Sequence, residues 1–422
     1  MARAMLLRLV HASTISTDGL SGAAWSGSVM IELNVLMAGI DVSGQARRVV
    51  DMKIAHLTTV HPRYDTRIFQ KMCCSLAETG HAVTLYVADG LGDEWSKGVQ
   101  IVDIGKPRNR ALRACLATAQ MWLRAFRSDH QILHFHDPEL IPGGLLMRLG
   151  RPIIIYDIHE YYRKHLRQTA SLPTFLSALL VLLYDLMERC ASACLQACIV
   201  VSPHMLKVLP LRNAFIIENH VRSEEFRPGS APPSARPLLA CYVGVLSKER
   251  HVQIMIEAVA RAGARLALAG RWYPPSYRDR LSTGASWQNV DEWGLLDRGQ
   301  VQTLFDQSRA GLLILDVHGD EQHASSNKLF EYMAAGLPVI ASDLHFTREV
   351  IRRHQCGLLV SSPTSASALA AAIKWILDHP AEAEQMGRAG RRAVEQHYSW
   401  DRMQERLVQL YADLLQRAGQ RT

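Results

Sequence analysis

Short apolar runs alternate with amphipathic helical stretches along most of the chain. The first run, at 53–60, is followed by a polar loop and by a helical pattern at 67–79 that ends at Gly80. An apolar run bounded by turn signals is typical of a buried strand. The other strands are predicted at 82–87, 132–135, 153–156, 197–201, 214–217, 238–243, 265–269 and 311–315. Continuous apolar strands separated by helices indicate an α/β fold whose parallel sheets are covered on both faces.

A segment rich in proline, serine and arginine divides this pattern into two sets. It spans 222–237 (RSEEFRPGSAPPSARP) and predicts a linker between domains. We predict one Rossmann-like domain at 52–221, a second at 238–397, and a closing helix at 398–422 that can cross back to the first domain. Two doubly wound domains imply a cleft lined by the carboxyl ends of their strands. No G-x-G-x-x-G follows the first strand, so a dehydrogenase-type dinucleotide site is not predicted.

Residues 1–51 differ from the rest of the chain because they lack clear periodicity. Arg8 interrupts the early apolar run, so the layout is not that of a signal peptide. We predict a poorly defined and dispensable N-terminal extension. The sequence predicts no transmembrane helix, because no apolar run is long enough to span a bilayer. The nearest approach, at 175–187, contains Asp185 and predicts a buried or interfacial helix.

Charge and cysteine usage narrow the possible partners. The chain has 47 basic and 40 acidic residues, a net charge of +7. Part of the excess lies at 106–127, where basic residues share a helix with apolar positions. This suits an anionic membrane surface or an anionic acceptor, and a solvated basic face is the alternative. No nucleic-acid-binding motif accompanies the charge.

None of the eight cysteines forms a C-x-x-C pair, which favours buried thiols over a metal site.

The segment 325–343 carries the most specific chemical pattern. Ser325 or Ser326 is predicted to cap a short helix, and Gly336 followed by Pro338 to end it. The predicted polar side of this helix comprises Asn327, Lys328, Glu331 and Tyr332. A helix N-terminus with a lysine can bind an anion, and a carboxylate one turn later can hold hydroxyls. The segment therefore suits a nucleotide diphosphate attached to a sugar, with a solvated surface helix as the alternative.

Four motifs, in this order, resemble those of the family 4 glycosyltransferases of the GT-B fold, particularly the bacterial polysaccharide branch. They are HPRYDTRIF at 61–69, HFHDPEL at 134–140, YDIHEYY at 156–162 and NKLFEYMAAGLPVIAS at 327–342. The resemblance runs from about residue 53 to the C-terminus. It implies GT-B architecture, in which two Rossmann-like doubly wound domains face a central cleft.

The same resemblance implies an activity. Family members transfer a sugar from a nucleotide-sugar to an acceptor hydroxyl with retention of configuration. The branch implies a saccharide or lipid-linked acceptor in capsule, exopolysaccharide or O-antigen synthesis, at the cytoplasmic face of a membrane. We expect no cofactor. We also expect no metal, because the sequence contains no Asp-x-Asp motif to hold an ion beneath the diphosphate.

Site residues are implied by matching positions in the motifs. Arg250 and Lys328 would face the diphosphate, Glu331 the ribose, and His136 the transferred sugar or the acceptor; His136, Lys328 and Arg250 form the catalytic set. The donor-binding set is Gly244, Lys248, Arg250, Ser326, Asn327, Lys328, Leu329 and Glu331. The acceptor-side set is Asp137, Glu139, His159 and Glu160. An exposed loop arginine is the alternative for Arg250, and a buried core histidine is the alternative for His136. Asp137 and Glu139 could instead cap the next helix.

Two positions depart from the family. His323 stands where many members have a Glu eight residues before the ribose-binding carboxylate, and Val245 stands where an arginine is frequent. In the first loop, Asp65 and Arg67 are predicted to form a local ion pair. A GT-B-fold nucleotide-sugar epimerase is one alternative function. The other is a non-catalytic nucleotide-sugar-binding partner of a polysaccharide assembly complex, which the histidine at 323 keeps open.

Overall fold

The computed structural model describes residues 52–109, 112–159, 162, 174–209, 211–232, 235–315, 323, 325–361 and 365–420. These residues belong to one compact unit that begins at residue 51. Two largely parallel sheets make up its frame, and each has an apolar core on either face. The predicted α/β fold with two Rossmann-like sheets is confirmed. The predicted extension at 1–51 lies outside the described residues, and the predicted domain boundaries stay predictions.

The N-terminal sheet has eight strands. They are β1 (Lys53–Leu57), β2 (Ala82–Val87), β3 (Glu94–Ser96), β4 (Val99–Asp103), β5 (Ile132–Phe135), β6 (Ile153–Ile158), β7 (Ala197–Val200) and β8 (Ala214–Ile216). Their spatial order is β3-β4-β2-β1-β5-β6-β7-β8, and only β3 and β4 pair antiparallel. The helices of this half are α1 (Thr66–Cys73, π-helical), α2 (Cys74–Glu78), α3 (Arg113–Ala117, π-helical), α4 (Thr118–Arg127), α5 (Ile141–Met147), α6 (Thr174–Cys194) and α7 (Pro203–Val208).

The C-terminal sheet has six strands, all parallel. They are β9 (Leu239–Val243), β10 (Arg265–Ala269), β11 (Val290–Gly294), β12 (Ala310–Leu313), β13 (Val339–Ser342) and β14 (Gly357–Val360), in the spatial order β11-β10-β9-β12-β13-β14. The helices that follow α7 are α8 (Val252–Ala262), α9 (Pro275–Ser282), α10 (Arg298–Gln307), α11 (Asn327–Ala334), α12 (His345–His354), α13 (Ala366–Asp378), α14 (Pro380–His397) and α15 (Trp400–Gly419).

The last helix covers the N-terminal sheet, although it follows the C-terminal sheet in the chain. Trp400, Leu407 and Tyr411 of α15 are buried in one core with residues of β1 and β2. The indole Nε1 of Trp400 donates a hydrogen bond of 2.7 Å to the hydroxyl of Ser75 in α2. The chain therefore returns to its first half, and the two sheets are connected by the linker and also by this helix.

The strand order reverses once in each sheet, and this places the site. In the first sheet β1 lies between β2 and β5, and in the second β9 lies between β10 and β12. In doubly wound sheets a crevice opens beyond the carboxyl ends of the strands at such a reversal. The loops that follow β1, β5 and β9 are therefore positioned to bind a ligand.

Two predictions about strands need correction. The strand predicted at 53–60 ends at Leu57, because the backbone N–H groups of Thr59 and Val60 bind a carboxylate of a neighbouring loop instead of continuing a ladder. Strands β3, β4, β11 and β14 were not predicted. The hairpin of β3 and β4 and the edge strand β11 are largely exposed or half-buried, so they lack a continuous apolar run, and the apolar run of β14 is only a few residues long.

No helix in the described part of the chain has the length and apolar character needed to span a bilayer.

Candidate active site between the two sheets

A small cavity opens beyond the carboxyl ends of β1, β5 and β6. Its volume is ≈ 100 Å³. The polar side chains that line it include His61, Asp137, Glu139 and His159. Each of these residues follows the carboxyl end of a strand, next to the point where the strand order reverses between β1 and β5. Of the predicted acceptor-side residues, Asp137, Glu139 and His159 are therefore brought together, and Glu160 lies outside the described residues.

Asp157, the penultimate residue of β6, is the centre of this region. Its buried carboxylate accepts two hydrogen bonds from Arg67, from Nε at 2.9 Å and Nη2 at 2.7 Å, and one from His136 Nδ1 at 3.0 Å. Burial alone would raise the pKa of Asp157, but the charge and hydrogen bonds of Arg67, with those of the two neighbouring histidines, hold it well below the usual range. Asp157 is therefore an anion under the cavity floor.

The ion pair predicted between Asp65 and Arg67 is wrong. Asp65 instead caps α1, accepting from the backbone N–H groups of Arg67 at 2.8 Å and Ile68 at 2.9 Å. The guanidinium of Arg67 extends under the sheet to Asp157 and to the carbonyl oxygen of Ile217. The physical reason is burial. An arginine inside the core needs a partner that is also desolvated, and the exposed edge of the loop offers none.

His136 contributes to the lining of the cavity but is almost completely buried. Its side chain is fully buried, with Nδ1 bonded to Asp157 and Nε2 2.9 Å from Nδ1 of His56. Burial lowers the pKa of His136, against the opposing effect of Asp157, so the ring is neutral. Both ring nitrogens have protein partners, so His136 positions Asp157 in this arrangement. Its predicted contact with the transferred sugar or the acceptor stays a prediction.

His61 and His159 are the more exposed histidines of the cavity lining, with side chains 19% and 13% exposed. Nδ1 of His61 lies 2.9 Å from Asp137, and Nδ1 of His159 lies 3.3 Å from Asp157. Their Nε2 atoms face each other at 3.1 Å. The Nε2 contact requires that one of the two rings donates its Nε2–H to the other.

The structure does not support the capping alternative for Asp137, and the predicted binding of acceptor hydroxyls by Asp137 and Glu139 stays a prediction. Asp137 accepts from the N–H of Thr59 at 2.6 Å and the hydroxyl of Thr58 at 2.8 Å, and it makes no capping bond to the turn that follows. It therefore shapes the loop after β1. Its pKa is lowered to about 2 because hydrogen bonds and the charge of His61 outweigh the opposing effect of burial. Glu139 accepts from Nε of Arg113 at 2.9 Å at the cavity edge.

The other half of the site is built around the start of α11. Ser326 occupies the capping position of this helix, but its side chain makes no capping bond, so that predicted interaction is wrong. Asn327 and Lys328 follow in the first turn and are half-buried, whereas Leu329 is buried in the core. Gly336 ends the segment with φ +67°, the left-handed conformation predicted for it. The helix N-terminus is left with backbone N–H groups that no serine side chain satisfies.

Lys328 lies against Gly244, which directly follows β9. A Cβ atom on Gly244 would come within 2.5 Å of Cε and 2.9 Å of Nζ of the lysine and would displace that side chain. The φ of Gly244, +148°, also favours glycine at this position. The amine lies 5.7 Å from the ring centre of Tyr242 and forms no ion pair within the described residues. Burial lowers the pKa of Lys328, Glu331 raises it and Arg250 lowers it further. The amine is thus a desolvated cation near a second cation, which favours a bound anion.

Arg250 and Lys248 lie on an exposed 3₁₀ turn, Lys248–Arg250, after the Gly244 loop. The charge of Arg250 contributes to lowering the pKa of Lys328. Val245 is exposed where the family often has arginine. The binding of a diphosphate by Arg250, Lys248 and Lys328 stays a prediction.

Glu331 is held by an arginine that no motif indicated. Oε1 of Glu331 accepts from Nη1 and Nη2 of Arg298, both at 3.0 Å. Arg298 also binds Glu225 at 2.6 Å, and its guanidinium lies 4.6 Å from the ring centre of Phe226. Tyr332, predicted on the polar side, is fully buried with its ring against Gly311. The polar side is therefore narrower than the helical pattern indicated.

His323 connects the two halves. Its ring stacks on that of His204 in α7, with centroids 3.8 Å apart and planes inclined by 12°, and it lies 4.1 Å from the ring of His345 in α12. A stacked imidazole thus occupies the place where many family members have a carboxylate. Consequently this side chain contributes a flat face and no fixed negative charge.

Sequence reasoning missed three groups that build the site. His61 and Asp157 lie within motifs that carry the resemblance, but no role was assigned to them. The polar Asp157 at the end of an otherwise apolar run was the available signal, since a buried carboxylate needs partners. Arg298 gave no such signal because it lies on the first turn of an ordinary surface helix.

Two histidine groups, His56–His134–His136 and His136–Asp157–His159, bring possible metal ligands within 4.8 Å of one another.

Comparisons with known proteins agree with this geometry. Residues 223–393 match the family model described as Glycosyl transferases group 1. Glycogen synthase of Mycobacterium tuberculosis is 26% identical over 202 residues, which cover 46% of this chain and 47% of that protein. The chain thus spans about half the length of this relative.

Solved structures are similar over most of the chain. Sucrose-phosphate synthase from Thermosynechococcus elongatus has a TM-score of 0.70 at 18% identity, covering 86% of this chain and 99% of that one. HepE from Anabaena, in complex with UDP and glucose, has a TM-score of 0.66 at 12% identity, covering 86% and 100%. These likenesses concern the fold. Together, the comparisons show that residues 223–393 match the group 1 glycosyl transferase model and that the chain shares the two-sheet GT-B-like fold of these solved structures.

Proposed function

We propose that this protein transfers a sugar from a nucleotide-sugar to a hydroxyl of a saccharide or lipid-linked acceptor, with retention of configuration. The observation that carries the proposal is the buried Lys328 amine, which lies against Gly244 at the start of α11. A desolvated cation at a helix N-terminus suits a diphosphate. Glu331 one turn later suits the ribose hydroxyls. UDP bound to the structurally similar HepE agrees with a nucleotide donor.

In the proposed mechanism, the charge that develops on the leaving diphosphate is stabilised by groups already in place. Lys328, Arg250 and the N–H groups of α11 supply positive charge as the bond from the sugar carbon to the phosphate oxygen breaks. The acceptor oxygen forms the new bond to that carbon on the same face, and its proton passes to the departing phosphate oxygen. His61 and His159 bind the acceptor on its side of the cleft. In this mechanism, fixed cations neutralise the diphosphate, and neither a metal nor a cofactor is required.

The proposal includes a setting. The resemblance to the polysaccharide branch favours growing capsule, exopolysaccharide or O-antigen chains as acceptors, at the inner face of the cytoplasmic membrane. Peripheral contact with anionic lipid would bring the cleft to such a lipid-linked acceptor. The exposed basic residues of α4 support this contact.

A panel of nucleoside diphosphates and nucleotide-sugars in a thermal-shift assay tests donor binding. At a ligand concentration of about 100 times Kd, binding stabilises the native state by about 3 kcal/mol. Lys328→Ala and Glu331→Ala should abolish the shift and the sugar transfer while keeping the fold. Lys374→Ala, which removes an exposed lysine paired with Asp378, serves as the control. Wild-type-like transfer by both site variants would refute the proposal.

Two alternatives predict other outcomes. A nucleotide-sugar epimerase would convert its substrate without an acceptor. A non-catalytic binding partner would show the thermal shift but no turnover with any donor and acceptor. The second alternative is favoured by one feature, the imidazole of His323 in the place of a carboxylate.

A further inference from the structure

The longest helix of the N-terminal half, α6, is apolar on both sides. Val181, Tyr184 and Ala191 are buried against the protein. The opposite side carries five large apolar side chains that are 47% to 75% exposed: Phe175, Leu179, Leu182, Leu183 and Leu186. A helix that is apolar all round is normally enclosed on all sides. The exposed side of α6 therefore lacks a partner within the described part of the chain.

These exposed positions form one continuous stripe. At about 100° per residue, they fall within an arc of about 100° centred opposite the buried side. The spacing is thus that of an amphipathic helix whose second apolar face is directed outward. Single exposed leucines are common on protein surfaces, but an aligned row of this length indicates a binding surface.

The stripe continues onto the neighbouring helices. Helix α5 packs beside α6, and Leu146 and Leu149 at its end are 64% and 80% exposed. Phe126 at the end of α4 lies against Gly150, where a Cβ atom would come within 2.4 Å of the ring. The apolar surface therefore extends from α6 across α5 to α4.

On α4 and α5, the charged side chains around this apolar surface are all positive. Segments 112–128 and 141–151 contain five arginines and no aspartate or glutamate. Arg124, Arg127, Arg148 and Arg151 are exposed, and the last two flank Leu149. In α6, Asp185 is half-buried and Arg189 is exposed, whereas Glu188 is buried and accepts a hydrogen bond of 2.6 Å from Tyr184, so the charge of Glu188 does not face outward.

We propose that the outer faces of α4, α5 and α6 form a docking surface for an anionic lipid bilayer. Apolar side chains that enter the acyl boundary and arginines that remain at the headgroups are the two components of interfacial binding. Each basic residue near an anionic surface contributes about 1 kcal/mol. A second copy of the chain is a poorer occupant, because pairing this face with itself would bring its arginines together.

This inference rests on the proposed function for its purpose, since docking would hold the cleft near a lipid-linked acceptor. Its test is independent of that function. The full chain is sedimented with vesicles of phosphatidylcholine alone and of phosphatidylcholine with phosphatidylglycerol. We expect binding only to the second kind, weakened by added salt because screening reduces the attraction to the headgroups.

Leu182→Gln combined with Leu186→Gln should reduce vesicle binding at least about tenfold, and Arg148→Gln should reduce it less. Leu295→Gln, at a leucine 69% exposed in the C-terminal half, and Arg417→Gln on α15 are the matched controls. The variants alter exposed side chains, so thermal unfolding and the nucleotide thermal shift should be unchanged. A missing nucleotide shift in the wild type would therefore affect the proposed function alone.

Binding by the double leucine variant equal to that of the wild type would overturn the proposal, as would a wild type that binds neither vesicle. Analytical ultracentrifugation tests whether a second copy of the chain occupies this surface instead. A dimer that the leucine substitutions dissociate, without lipid binding, would assign the surface to a second copy and refute the lipid assignment.

Discussion

Arg298 directs both terminal nitrogens to a single carboxylate oxygen of Glu331, at 3.0 Å each. Glu225 and the ring of Phe226 hold the guanidinium from its other sides. The arrangement fixes the carboxylate of Glu331 through one oxygen, Oε1, so the second oxygen is the one oriented for a ligand. Arg298 is thus a positioning residue for the carboxylate that we assign to the donor ribose.

Replacing Arg298 by glutamine should weaken nucleotide binding about tenfold, since a charge-assisted hydrogen bond contributes about 1.5–3 kcal/mol. Isothermal titration with a nucleoside diphosphate and its 2′-deoxy and 3′-deoxy forms measures this. The preference for the ribonucleotide should also fall, which a general loss of stability would not cause. Arg265→Gln breaks a similar pair with Asp291 at the other end of the sheet and is the control. An unchanged preference in Arg298→Gln would contradict the positioning role.

Gly244→Ala should abolish nucleotide binding while the protein remains folded. The new methyl group would overlap the Lys328 side chain and displace its amine. Gly263→Ala is a control for substitution at a left-handed glycine, since Gly263 has φ +67° and open space around it, whereas Gly244 has φ +148°. Gly263→Ala should lose about 1–2 kcal/mol of stability and Gly244→Ala more, and only Gly244→Ala should lose the thermal shift. Equal nucleotide binding by the two variants would show that the close approach is unimportant.

Lys71 should make stability depend on pH. Burial lowers the pKa of its amine from 10.5 to about 8, against the opposing charges of Glu225 and Glu331. Between these two values the unfolded chain binds the proton and the native protein does not, so this contribution to stability increases as the pH rises above about 8. Urea unfolding at pH 8 and pH 9 should show the difference between wild type and Lys71→Met growing by at most about 1 kcal/mol per pH unit. A difference independent of pH would contradict the shifted pKa.

Removing one member of the Arg67–Asp157 pair should be costly. Arg67→Met leaves a buried carboxylate without its main cation and should destabilise the protein by about 3–5 kcal/mol, measured by urea unfolding. Combining it with Asp157→Leu should recover much of that loss, because the uncompensated charge is then gone. The double variant should nevertheless lose activity, since His159 would have no carboxylate at Nδ1. If Arg67→Met is as stable as the wild type, the pair does not support the cavity floor.

Much of the fold could be predicted from local pattern. Strands such as β2, β5 and β10 begin and end where the apolar runs do, because a strand buried on both faces forms a nearly continuous apolar run. The hairpin of β3 and β4 could not be predicted in this way, since its half-exposed residues give no continuous run. Tyr332 was wrongly predicted on the polar side of α11 for a related reason. A helical pattern gives the direction of a side chain around the helix axis, but the neighbouring strands decide whether that side chain is buried.

The sequence by itself determined that two doubly wound domains are present and that Lys328 and Glu331 lie one turn apart at the start of a helix, because periodicity and helix termini are local properties. The tertiary structure decided which charges are paired. It brought Arg67 to Asp157 across 90 residues and Arg298 to Glu331 across 33. It also turned His136 inward and placed His61 and His159 at the cavity. Electrostatic partners inside a protein are selected by shared burial, and spacing along the chain carries no information about which distant groups are desolvated together.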